Sequence, residues 1–125
     1  MNATTLATRG YAENAVSTRN ERRSEYEVFA RVTHSLRDTA TKAKTNFPDF
    51  AEALHLNRRL WTTLVVDLAD PKNEIPSDLK ARLIYLSEFT QHHTRKILRD
   101  GASVLPLLEV NMAVMRGLKT EGPST

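Results

Sequence analysis

The chain has 125 residues, no cysteine, 18 basic and 15 acidic side chains and a formal charge of +3. That length suits one domain able to bury about two thirds of its unfolded surface without cross-links, and the missing thiols exclude a disulfide framework, a zinc-thiolate site and a cysteine nucleophile. The mild positive charge falls short of the dense clusters that dominate nucleic-acid binding, while four glycines and five prolines among long Ala/Leu/Glu/Arg-rich stretches predict an all-α fold.

The start, Met1-Asn2-Ala3-Thr4-Thr5-Leu6, lacks the basic opening and apolar run of a signal peptide. No segment reaches the roughly 18 to 20 apolar residues that cross a bilayer. The expectation is a soluble cytoplasmic protein with no membrane insertion. Over residues 1–18, Leu6, Ala7, Tyr11, Ala12, Ala15 and Val16 form a short amphipathic pattern interrupted by Gly10, predicting a weak helix or an arm laid on the body.

The body spans residues 19–119. From about Asn20 to Lys44, Tyr26, Phe29, Val32, Leu36, Ala40 and Ala43 form one stripe, which predicts an amphipathic helix of roughly 25 residues, near 37 Å at 1.5 Å per residue. Thr45-Asn46-Phe47-Pro48-Asp49 breaks the period, with Asp49 expected to cap the next helix. That helix, to Ala69, places Phe50, Leu54, Asn57, Trp61, Leu64, Val65 and Leu68 on one face. Ala53, Leu56 and Leu60 widen its arc enough to touch two neighbours. Asp70 to Ser77, with two prolines, is a connection ending in a serine or aspartate cap.

Leu79, Leu83, Leu86, Thr90, His93 and Ile97 align on a helix from Ser77 to Arg99 whose stripe turns polar in its second half. Gly101 stops it, because glycine tolerates left-handed geometry. The last helix, from about Val104 to Leu118, combines Leu107, Val110, Asn111, Val114 and Met115, with Pro106 confined to its first turn. Residues 120–125 are expected to be a frayed tail. Short connections favour antiparallel neighbours, hence a small antiparallel bundle of four main helices with a short N-terminal helical arm.

Two amides interrupt the apolar stripes. Burying an unpaired amide costs about 1 to 3 kcal/mol, so Asn57 needs a partner on a neighbouring helix or on a bound chain. Asn111, in the same position on its own stripe, is the natural second end of one arrangement, since amides pair and fix helix register. Trp61 suits the core or an anchor for a partner helix. Arg58 falls at the edge of the apolar arc, suited to pairing across helices, and Arg59 nearly opposite it, in solvent. Two basic clusters, Arg19/Arg22/Arg23 and Arg95/Lys96/Arg99, offer phosphate contacts, but no aromatic row interleaves with them as single-stranded RNA binding favours.

His92 and His93 point about 100 degrees apart on a helix, and Glu88 with His92 supplies too few ligands for a metal. No phosphate-binding loop, HExxH or GxSxG motif occurs, and no spacing pairs a nucleophile with a base. No catalytic residue, cofactor or metal is therefore predicted.

Leu54-His55-Leu56-Asn57-Arg58-Arg59-Leu60-Trp61 followed by Thr62-Thr63-Leu64 resembles the central signature of the FlaF family of alphaproteobacterial flagellar biosynthesis regulators. Glu25-Tyr26-Glu27-Val28-Phe29-Ala30-Arg31-Val32-Thr33 is similar to that family's N-terminal helix. Pro106-Leu107-Leu108-Glu109-Val110-Asn111 through Met115-Arg116-Gly117-Leu118 is similar to its C-terminal one. The family's C-terminal block usually has isoleucine where Val110 stands. The resemblance implies a small cytoplasmic protein, without cofactor or chemistry, that supports flagellin production, export and filament assembly beside the regulator FlbT. For some members it implies a flagellin-specific export chaperone; for others, modulation of flagellin synthesis.

Amphipathic flagellin termini cannot bury their apolar faces before they polymerise, which calls for a temporary groove of helix-in-groove type. Phe29, Leu36, Leu56, Leu60, Phe89, Val114, Met115 and Leu118 are the expected lining, beside Asn57, Arg58, Trp61 and Asn111, with the arm around Tyr11 covering the groove when empty. The alternative is post-transcriptional control through flagellin mRNA together with FlbT.

Overall fold

The apolar stripes form four helices. The structure is a computed structural model that describes residues 23–120, with side chains to residue 117. Helix α1 is described over residues 23–41, followed by α2 (Phe47–Ala69), α3 (Ser77–Asp100) and α4 (Leu105–Thr120). No strand occurs among the described residues. They make a small all-α antiparallel bundle. The arm expected over residues 1–18, the tail from 121 and the Leu118 side chain lie outside the description.

The connections follow local chemistry, in three places differently from expectation. Helix α1 ends at residue 41 rather than Lys44, because its last turn tightens, Lys42 N–H donating to Thr39 O and Ala43 N–H to Ala40 O. The cap of α2 is Asn46, not Asp49. Asn46 Oδ1 accepts from Asp49 N–H at 3.3 Å while its Nδ2 donates to the Asp49 carboxylate at 2.7 Å. Pro48 thus falls inside the first turn, where its missing N–H costs nothing. Neither Ser77 nor Asp78 caps α3: Pro76 occupies the cap position and no side chain bonds there.

Asp70 and Asn73 shape the α2–α3 connection through their side chains, Asp70 Oδ1 accepting from Lys72 N–H at 2.9 Å and Asn73 Oδ1 from Ile75 N–H at 3.0 Å. At the other end of α3, Gly101 adopts φ 68° as expected, its N–H donating to Ile97 O. His93 Nε2 donates to Ser103 O at 2.7 Å and its ring stacks on Phe89 at 5.6 Å. Since the carbonyl only accepts, Nε2 carries the proton. His93 therefore fastens α3 to the α3–α4 connection.

Antiparallel packing gives the bundle two unlike ends. One gathers the late part of α1, the early part of α2, the late part of α3 and the early part of α4. There Leu36, Phe50, Ala53, Leu54, Ile97, Leu107 and Leu108 form a continuous buried cluster, with Ala40, Ala43, Ala102 and Val104 packed against it. Of the ten buried apolar residues among those described, seven lie in this cluster.

Because a Cβ at Gly101 meets nothing within 4 Å, Gly101→Ala carries only the backbone cost of the left-handed region. It is expected to lower stability in urea unfolding by about 1 kcal/mol, and Gly101→Asn by less. Equal stability of all three proteins would show that the α3 end does not need this geometry.

Candidate partner-binding groove

Halfway along the bundle the core turns polar. Trp61 Nε1 donates to Asn111 Oδ1 at 2.9 Å, and Asn111 Nδ2 donates to Asn57 Oδ1 at 2.8 Å and to Thr33 Oγ1 at 3.1 Å. Trp61, Asn57 and Asn111 are fully buried and Thr33 nearly so. An indole N–H can only donate, so it fixes which Asn111 atom is the oxygen, which in turn fixes the orientation of Asn57. The donors run in one direction, from α2 through α4 and back to α2. The run ends at Asn57 Nδ2, which has no partner among the described residues.

Phe29 meets the indole edge-on at 5.7 Å, a favourable quadrupole arrangement. From α3, Ser87, Thr90 and Thr94 are buried at this level. The Thr90 and Thr94 hydroxyls donate to their own helix, to Ser87 O and Thr90 O. The level is tied across α2 and α3 by Arg58 Nε donating to Gln91 Oε1 at 2.9 Å.

Beyond the polar layer the bundle opens. A groove of about 850 Å³ is walled by Leu64 of α2, Ile75 of the connection, Leu79, Leu83 and Leu86 of α3, and Ala113, Val114 and Gly117 of α4. Glu25 of α1, Asp67, Asp70, Lys72, Asn73 and Arg82 border it with both signs of charge. Leu64, Leu79, Leu83, Leu86 and Val114 are only half-buried. The α4 wall is thin, since the side-chain volume at Ala113 and Gly117 is small and a Cβ built on Gly117 meets nothing within 4 Å.

The candidates drawn from sequence therefore separate. Val114 lines the groove. Phe29, Leu36, Asn57, Trp61 and Asn111 lie inside the body and offer no side-chain surface in this conformation. Leu60, Phe89 and Met115 are half-buried and Leu56 is exposed. Arg58 is engaged with Gln91 while Arg59 is exposed. Tyr11 and the Leu118 side chain are outside the described residues. Arg95, Lys96 and Arg99 are all exposed on the last turns of α3.

Sequence reasoning missed Thr33 and most of the groove walls. Thr33 had a signal, sitting between Phe29 and Leu36 at helical spacing. Leu64, Leu79, Leu83 and Leu86 were visible as apolar positions, yet nothing in their spacing told a covered stripe from an uncovered one.

The model of the flagellar protein FlaF family matches residues 7–118. The chain belongs to the FlaF family. No curated protein and no solved structure matches it. The FlaF match takes in the closed core, the polar layer and the groove alike. The buried layer of this FlaF family member also falls on the stretches that carry the resemblance: Asn57 and Trp61 in the central one, Thr33 and Asn111 in the outer two. Among the described residues no group of three or more His, Asp or Glu is placed to hold a metal, and no helix is long and apolar enough to cross a membrane.

Asn111 serves three partners and Asn57 one, so their replacements should differ. Asn57→Leu removes one acceptor and is expected to cost about 1 to 3 kcal/mol, whereas Asn111→Leu also strands the Trp61 N–H and should cost more. Urea unfolding of both variants checks the order; equal or reversed losses would show that the amides do not act as one connected layer.

Proposed function

We propose that this flagellar protein is a cytoplasmic export chaperone that holds an amphipathic segment of flagellin in the open groove, with FlbT as a further partner in controlling flagellin supply. The observation that supports the reading is the contrast between the two ends of the bundle. One end closes its apolar side chains into a core. The other leaves five leucine or valine side chains half-buried around about 850 Å³ of open space.

That volume lies in the upper part of the range for binding cavities, about 300 to 1,000 Å³, and its open shape suits a row of side chains rather than one compact ligand. A helix offers such a row at i, i+3, i+4 and i+7. Flagellin termini are amphipathic segments left without their polymer neighbours before assembly, so burial in the groove removes apolar surface that would otherwise aggregate. The mixed charges at the border suit the polar flanks of such a helix and set its direction. The function needs binding and release alone, with no bond made or broken.

Calorimetric titration with purified flagellin is expected to give a stoichiometric complex. Leu83→Asp and Val114→Asp should each weaken it at least about tenfold, or 1.4 kcal/mol, with helix content retained, while Arg59→Glu on the exposed face of α2 leaves it unchanged. Absence of binding at flagellin concentrations on the order of tens of micromolar would refute the chaperone reading. A salt-steep affinity for the flagellin mRNA leader, lost on neutralising Arg95, Lys96 and Arg99, would instead transfer the function to the basic end of α3.

A further inference from the structure

The outward side of α2 carries a second, smaller recess, lined by His55, Arg58, Arg59, Thr62 and Thr63 together with Gln91 of α3. Its volume of about 370 Å³ is near the lower end of the range for binding cavities, about 300 to 1,000 Å³, and it shares no residue with the groove. The lining holds two guanidinium charges and no carboxylate, since Glu52, Asp67 and Glu88, the acidic residues of α2 and α3 nearest to it in sequence, all lie outside it. No carboxylate pairs with Arg58 or Arg59 among the described residues. Concave walls of one sign focus the field on whatever enters, so the recess favours an anion.

Arg58 is already oriented for one. Gln91 Oε1 accepts from Arg58 Nε at 2.9 Å and Gln91 Nε2 donates back to Arg58 O at 3.4 Å, while the same carbonyl accepts from Thr62 Oγ1 at 2.9 Å. The guanidinium is thus held through Nε, and its two terminal nitrogens bond nothing else among the described residues. A planar carboxylate meets such a fork with two parallel hydrogen bonds. Arg59 and the Thr63 hydroxyl, in the same lining, supply further donors.

The surroundings distinguish a protein carboxylate from a nucleic-acid phosphate. Leu56 precedes Arg59 by three residues, and Val66 continues the line of His55, Arg59 and Thr62 by one turn; both are exposed. Between them α2 rises about 15 Å. Uncovered aliphatic side chains beside a cation gain from an apolar partner surface rather than from a sugar-phosphate chain, and no Phe, Tyr or Trp lines the recess for a base to stack on. We infer that this face of α2 docks an acidic segment of a protein partner, with a carboxylate seated on Arg58 and Arg59 and apolar side chains against Leu56 and Val66. The inference does not rest on the chaperone reading, because the groove is a separate surface.

The test uses the full chain and a blocked, alanine-based helical peptide with two glutamates four residues apart and a leucine one turn to either side. Nuclear magnetic resonance follows the Arg58 Nε–H and the Gln91 side-chain amide during titration. The peptide is expected to shift both signals and saturate them. Replacing its glutamates by glutamine should weaken binding at least about tenfold, as should Arg59→Glu in the protein with helix content retained. Leu56→Ser and Val66→Ser should each weaken it several-fold. Equal affinity for the glutamine peptide, or no shift up to peptide concentrations on the order of 1 mM, overturns the carboxylate site. Indifference to both serine variants, or tighter binding of inorganic phosphate or of a single-stranded uridine dodecamer than of the peptide, overturns the protein partner. Shifts of the same signals on concentrating the protein alone would make a second copy the occupant and overturn it equally.

Discussion

A single donor sets the middle of this bundle. The Trp61 indole N–H has no acceptor capacity, so its 2.9 Å bond to Asn111 Oδ1 dictates the orientation of two amides and gives the hydrogen bonds joining α1, α2 and α4 one direction. Sliding α4 by one residue would turn Asn111 about 100 degrees away from both Trp61 and Asn57 and leave buried polar atoms unpaired at about 1 to 3 kcal/mol each. Leucines at the same positions would pack in several registers. The amides accept only one.

That register decides what happens on either side. Towards the closed end it brings Leu107 and Leu108 of α4 against Leu36, Phe50 and Leu54. Towards the open end the same helix presents Ala113, Val114 and Gly117, residues too small to reach the leucines of α3. The groove is thus a result of where α4 is pinned and which side chains follow the pin. The donors of the layer end at Asn57 Nδ2, which has no partner among the described residues. Membership of the FlaF family places this arrangement in a flagellar protein.

Much of this was legible before the structure. The four helices follow from apolar stripes of period 3.6 broken by Pro48, Pro71, Pro76 and Gly101, and the meeting of Asn57 with Asn111 follows from two amides sitting in stripes that must share a core. Local capping was less legible, because Asn46 and Asp49 are both good caps and only the reciprocal bond between them places Asn46 first. The groove was hardest to see. Phe29 and Leu36 were natural candidates for a client surface, yet they are core, while Leu79, Leu83 and Leu86 looked like core and border open space. Periodicity shows which face of a helix is apolar. Which neighbour covers that face depends on side-chain volume across the gap, here the smallness of Ala113 and Gly117, and that is a property of two helices brought together.

Hydrogen exchange of the full-length protein, followed by mass spectrometry with and without flagellin, tests most directly whether the open end is the working surface. The account predicts slowed exchange in peptides covering residues 75–86 and 110–117 when flagellin is added, with the closed end around Leu36 and Leu107 unchanged. Protection confined to the basic end of α3 around Arg95 and Arg99, or no protection by flagellin anywhere, would contradict it.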